Sequence, residues 1–306
     1  MSKNTLFLAI GFVLLWNSGF IGAEYGLPYT GPFSLLFWRY AALTLIIFVY
    51  LLIRKRFRWV GWSTAAPHML VGILAHGVWL ACVLFALDFE VPAGIIALVV
   101  ALQPMTTGAF SGLVVGEPTP MHRWAGLIIG FAGVAITVIS RIDFQDVNSV
   151  IGYLIPLGSV IGITVASLIQ RKMEVGQAAP PLPVDVSLFY QSLATTIVLA
   201  GPAIVVEHLS TNWTPEFIYT MLWLIVGVSC GAYALMWLLI ERIDATRVAS
   251  LFYYGPPVTM FMAWIAFGDT LRTMDILGLL VVSVGIVLTQ LSVNNSEKSG
   301  EPARQE

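Results

Sequence analysis

Planar and hydrogen-bonding side chains recur at helical spacing inside long apolar runs. Trp16 and Phe20 are four apart with Asn17 between them, His76 and Trp79 are three apart, Tyr233 and Trp237 are four apart, and Tyr253 adds a further phenol. Spacings of three and four put each pair on one helical face. Rings of this kind stack on planar solutes, offer a polar edge and present a negative face to cations. Gln103 and Ser167 supply neutral hydrogen-bonding groups. This is the chemistry of binding, not of bond-making. P-loop, G-x-S-x-G and H-E-x-x-H patterns are absent from the sequence, and no residue is assigned a catalytic role. For any one ring, plain helix packing is the competing explanation. Interfacial anchoring accounts for Trp38, Trp59, Trp62, Trp124 and Trp213.

Ionisable groups inside the apolar runs are few. Arg39 could meet a carboxylate on a solute, or it could pair with Glu24 and tie two helices together; the tie is the simpler of the two. His76 could hydrogen-bond a solute or take up a proton near neutral pH, or it could bond a neighbouring carbonyl. Asp and Glu are missing from the middle of every run, so no side chain is an obvious proton carrier, although Glu24, Asp88 and Glu90 stand near run ends. Cys82 and Cys230 both lie in apolar sequence, which points to neither a disulfide framework nor a metal site. No cofactor is expected.

The elements that must hold these groups are set by composition. The chain is 58% hydrophobic and only 10% charged, with a mean hydropathy of +0.86, where soluble domains carry about 25% charged residues. Lipid is therefore the solvent for most of the surface. Ten apolar segments, each long enough to cross the bilayer, are predicted at 5–23, 33–53, 65–86, 92–115, 122–139, 151–170, 184–206, 216–240, 245–267 and 274–292. The first is read as an uncleaved span. With the N-terminus inside, twelve Lys and Arg fall on the inner side, two fall outside and Arg39 falls within a span, which accounts for all 15. That bias places both termini in the cytoplasm. No basic patch suggests nucleic acid.

The segment from Val91 to Thr137 returns 152 residues later, from Ile243 to Thr289, without a gap. Ala93, Ala97, Pro104, Thr107, Gly116, Gly126, Gly133 and Thr137 meet Ala245, Ala249, Pro256, Thr259, Gly268, Gly278, Gly285 and Thr289. Five spans per copy force the second copy to enter from the opposite side, so the repeats are inverted. The expected organisation is a first repeat at 1–140, a second at 150–292 and a disordered cytoplasmic tail at 293–306. Pro104 and Pro256, with Gly255 beside the latter, each remove a backbone donor in mid-span and free the carbonyls of Val100 and Phe252. They are either static kinks or paired hinges, and their symmetry favours hinges.

The pattern of Pro32 to Arg39, the apolar-Pro-apolar sequence around Pro104, Gly116-Glu117 and the Gly126/Gly130/Gly133 ladder resembles the drug/metabolite transporter superfamily, EamA type. The second half repeats the signature with Gln191 in place of Arg39 and Gly268-Asp269 in place of Gly116-Glu117. Within that superfamily the Trp and Tyr content resembles the YddG-type aromatic amino-acid exporters. The resemblance implies ten helices, cytoplasmic termini and a central cavity. The expectation is an all-α carrier of the bacterial inner membrane, functional as a monomer, that exports small metabolites, aromatic amino acids first, by alternating access. Its cavity would be lined by spans 1, 3, 4, 6, 8 and 9. Drugs, nucleotide sugars or sugar phosphates are the alternative cargo, and a non-transporting membrane regulator is the alternative class.

Overall fold

A computed structural model describes residues 3–116, 121–175, 182–243, 248 and 250–298. Ten helical rods run through them: α1 Lys3–Gly26, α2 Pro32–Ile53, α3 Trp62–Asp88, α4 in two pieces (Ala93–Val100 and Gln103–Val115), α5 Met121–Arg141, α6 Val147–Val175, α7 Val184–Val205, α8 Pro215–Ile240, α9 Gly255–Phe267 and α10 Thr273–Lys298. Among the described residues there is no strand, only a single bridge between Thr30 and Thr211. The first eight rods are long and apolar enough to cross a membrane, and the apolar stretch of α10, Thr273–Thr289, is shorter. α10 continues as helix through Lys298, six residues into the expected tail. Residues 299–306, and Glu117, Ala245, Arg247 and Ala249 of the repeat and charge patterns, lie outside the described residues.

Local chemistry sets the ends. Pro32 begins α2 at a position where its missing N–H costs nothing. The next free donors, the N–H groups of Phe33 and Ser34, bond the Glu207 carboxylate at 3.0 and 2.7 Å. A carboxylate at a helix N-terminus also complements the macrodipole. Pro215 repeats the arrangement on α8, where the Thr214 hydroxyl accepts from Phe217 N–H at 3.3 Å. At the other ends, Gly116 and Gly268 close α4 and α9 in the left-handed region, both with φ of 76°, a conformation that favours glycine.

The two prolines interrupt their helices rather than merely bend them. Ala101 and Leu102 form a turn, and α4 restarts at Gln103 with Pro104 in its first turn. In the second copy a 3₁₀ turn, Phe252–Tyr254, precedes α9, which restarts at Gly255 with Pro256 in its first turn. The Phe252 carbonyl is not left free, because the Gly255 N–H donates to it.

The duplication is visible in the packing. α2 packs on α7, α4 on α9 and α5 on α10, each rod against its own counterpart. On the α5–α10 seam a side chain on Gly126 would come within 2.7 Å of the Gly285 carbonyl, and one on Gly133 within 2.7 Å of the Gly278 carbonyl. Exchanging the copies turns each of these contacts into the other, as a two-fold axis between antiparallel rods requires. Glycine is needed here because the backbones touch. Near the same axis Thr44 and Thr196, 152 apart, share a hydrogen bond at 3.2 Å.

Candidate functional site: a buried aromatic cavity

α3 and α8 each carry a π-helical turn in mid-span, Ile73–Val78 and Trp223–Ala232, at corresponding places in the two copies. Such turns widen the helix, leave its hydrogen bonding irregular and favour functional positions. His76 sits in the first and Ser229 in the second. Each meets the residue at the matching position of the opposite copy. Arg39 of α2 donates from Nε and Nη2 to Ser229 Oγ at 3.0 and 2.9 Å. Gln191 of α7, 152 residues after Arg39, has its Oε1 3.1 Å from His76 Nε2. The network continues from Gln191 Nε2 to Ser187 Oγ at 2.9 Å and on to His68 Nδ1 at 2.8 Å, joining α7 to α3.

Between these crossings lies a cavity with about 70 Å³ of space for the centres of water molecules. That is room for about five waters, or about 150 Å³ of liquid, the size of one small metabolite. Trp16 and Phe20 of α1, Arg39 and Tyr40 of α2, His76 and Trp79 of α3, and Ser229 and Tyr233 of α8 supply its distinctive groups. Trp16 is the hub. Its ring lies 6.4 Å from Trp79 at 23°, 5.5 Å from Tyr233 and 5.0 Å from Phe252, edge-on. Arg39 is 6% exposed, and its guanidinium carbon stands 5.9 Å from the Tyr40 ring centre.

The structure thus brings Trp16, Phe20, Arg39, His76, Trp79 and Tyr233 into one cavity and leaves Asn17, Glu24, Gln103, Ser167, Trp237 and Tyr253 outside its lining. Asn17 is a strut: it donates to Val13 O at 2.7 Å and accepts from Thr259 at 3.0 Å, tying α1 to α9. Gln103 reaches Thr107 and Ser167 at 3.3 and 3.4 Å, tying α4 to α6. Tyr253 packs against the core, and Trp237 is 39% exposed. The lining comes from α1, α2, α3, α7 and α8; α4, α6 and α9, expected to contribute, pack behind it because those polar struts use up their inward groups. The expected Arg39–Glu24 pair does not form: Ser229 is the partner of Arg39, and Glu24 lies within electrostatic reach of Asp269. Burial pushes the Asp269 carboxyl above its usual range, opposed by the attraction of Arg141.

Tyr40, Ser192 and Ser229 were missed. For Tyr40 and Ser192 the signal was the 152-residue offset itself, since they are counterparts and both line the cavity; Ser229 has Gly77 as its counterpart and carried no such signal. At the opposite end from the N-terminus a buried bidentate pair, Arg141 to Asp275 with Nε–Oδ1 at 2.9 Å, clamps α5 to α10.

Ten helices in two inverted copies around a central cavity have the architecture of a membrane transporter. The EamA-like transporter family model matches residues 3–139 and again 150–291, and the chain belongs to that family. It is 31% identical over 216 residues to the uncharacterized transporter YvbV of Bacillus subtilis (strain 168), an alignment spanning 69% of this chain and 66% of that one. It is 24% identical over 304 residues to a probable amino-acid metabolite efflux pump of Salmonella typhimurium (strain LT2), covering 94% of this chain and 95% of that one. A crystal structure sharing 19% identity superposes over 97% of this chain and 100% of its own, with a TM-score of 0.62.

Proposed function

We propose that this transporter exports small amphipathic metabolites, aromatic amino acids foremost, across a bacterial inner membrane, acting as a monomer with both termini in the cytoplasm. The observation that carries the reading is the Trp16, Trp79 and Tyr233 wall beside the buried Arg39 guanidinium. A planar apolar body stacks on the rings, and a carboxylate meets the guanidinium. The name of the Salmonella relative supports the same cargo class. Nucleotide sugars are larger than the cavity, and both they and sugar phosphates carry two or more charges against one arginine.

Transport follows from the paired interruptions. The turns before Pro104 and Pro256 let the two pieces of α4 and the whole of α9 swing, exchanging the environments of the two copies. With no carboxylate among the cavity-lining residues to carry a proton, the solute gradient drives export. The test is flux from proteoliposomes loaded with a mixed amino-acid pool, with and without pH and sodium gradients. Gradient-independent loss of Phe, Tyr or Trp, suppressed by Trp79→Ala, is the expected result. No amino-acid flux under any condition sinks the cargo assignment.

A further inference from the structure

The charge balance of the cavity sharpens its cargo. Arg39 is almost wholly buried, and both of its hydrogen bonds go to one neutral hydroxyl. Among the described residues no carboxylate lies within 4 Å of it; the ion pairs are Arg56–Asp185 and Arg141–Asp275. The cavity-lining residues include no Asp or Glu at all. A buried cation without an anion is strongly disfavoured, so the site is completed by an anion from outside.

The uncommitted polar groups point the same way. A guanidinium has five N–H donors, and Ser229 engages two of its nitrogens through a single oxygen. Trp79, also in the lining, has a buried Nε1–H with no acceptor among the described residues. Neither group can accept a hydrogen bond. The Ser192 hydroxyl donates to the Leu188 carbonyl at 2.7 Å, and its oxygen is a neutral acceptor only. The cavity is therefore rich in donors and has no charged acceptor.

We infer that the site also takes solutes with one carboxylate, an aromatic or other apolar body and no ammonium, such as aryl-alkanoates and N-acylated aromatic amino acids, and holds them more tightly than the zwitterionic amino acids. This rests on the reading that the cavity is the substrate site. In an α-amino acid the ammonium is tethered beside the carboxylate. Docking that carboxylate on Arg39 drives the ammonium to within roughly 6 Å of a like charge in a poorly solvated space. The ring faces of Trp16 and Tyr233 offset part of that repulsion by cation–π attraction, but no acid cancels it. Removing or acylating the amine relieves the conflict and keeps both the stacking and the charge pairing.

The experiment is calorimetric titration of the purified full chain in detergent at pH 7 with four solutes: 3-phenylpropanoate, N-acetyl-L-phenylalanine, L-phenylalanine and 2-phenylethylamine. The two monoanions bind at least about tenfold more tightly than L-phenylalanine, and the amine binds weakest. Arg39→Gln, checked for folding by its melting curve, removes that preference. If the variant does not fold, the ranking on the unaltered protein decides. L-Phenylalanine binding as tightly as 3-phenylpropanoate overturns the inference and leaves the amino-acid reading standing, as does a monoanion preference that survives in folded Arg39→Gln. Binding of none of the four overturns both. Tightest binding of the amine overturns the inference and assigns the aromatic wall to cations.

Discussion

The two copies share a backbone plan and divide the chemistry. In one, Arg39 crosses to Ser229; in the other, the matching Gln191 crosses to His76. The prolines, left-handed glycines and π turns recur in both. The aromatic wall does not. Trp16, Trp79 and Tyr233 correspond to Leu168, Gly231 and Ala81, so the mirror position could neither stack a ring nor hold a charge. Duplication conserves what lets the bundle move. Divergence supplies what the bundle carries, because exchange between two shapes needs symmetry in the moving parts and only one binding surface.

The largest break in that symmetry is the Arg141–Asp275 clamp, whose counterpart positions are Val293 and Arg123. Asp275 is fully buried. Asp275→Ala, leaving a buried guanidinium unpaired, costs about 3–5 kcal/mol, read as a large drop in melting temperature in detergent. The double variant Arg141→Met/Asp275→Leu recovers much of it. No recovery would mean that the pair also orders the neighbouring turn, where Arg272 N–H bonds Asp275.

The glycine seam tests the shared half of the comparison. Gly133→Ala and Gly285→Ala introduce the same overpacking at counterpart positions, each costing about 1–3 kcal/mol. Equal losses support a true two-fold seam; a marked difference shows that one side relaxes. Gln191→Leu tests the divided half. It cuts the His76–Gln191–Ser187 chain and destabilises by about 1–3 kcal/mol, while lowering carboxylate affinity less than Arg39→Gln does. An equal loss of affinity would make the two crossings equivalent after all. Smallest is Thr44→Val, about 1 kcal/mol, with Thr44→Val/Thr196→Val costing little more than either alone, since both act on one hydrogen bond.

Sequence legibility followed periodicity. Ten apolar runs, a proline and glycine register repeated at 152, and a one-sided cation bias are local or additive properties, so the class of protein and its inverted design were readable without coordinates. Trp16, Trp79 and Trp237 all read as too deep to be interfacial anchors, and depth alone did not tell which of them line the cavity: Trp16 and Trp79 do, Trp237 does not. Asn17 and Gln103 read as solute contacts because a polar residue in lipid must find a partner, and sequence does not say whether that partner is solute or protein. Here it is Thr259 for Asn17, and Thr107 and Ser167 for Gln103.

What the sequence by itself determined, then, is the membrane class, the duplication and the breaks in α4 and α9, because hydropathy, proline stereochemistry and an odd number of crossings act along the chain. Which helices face one another across the axis was decided only by tertiary structure. The rotation of each rod about its own axis is set by packing between distant segments. That rotation turned Arg39 toward Ser229 and away from Glu24, and left Trp237 out of the cavity lining while bringing Trp16, Trp79 and Tyr233 together.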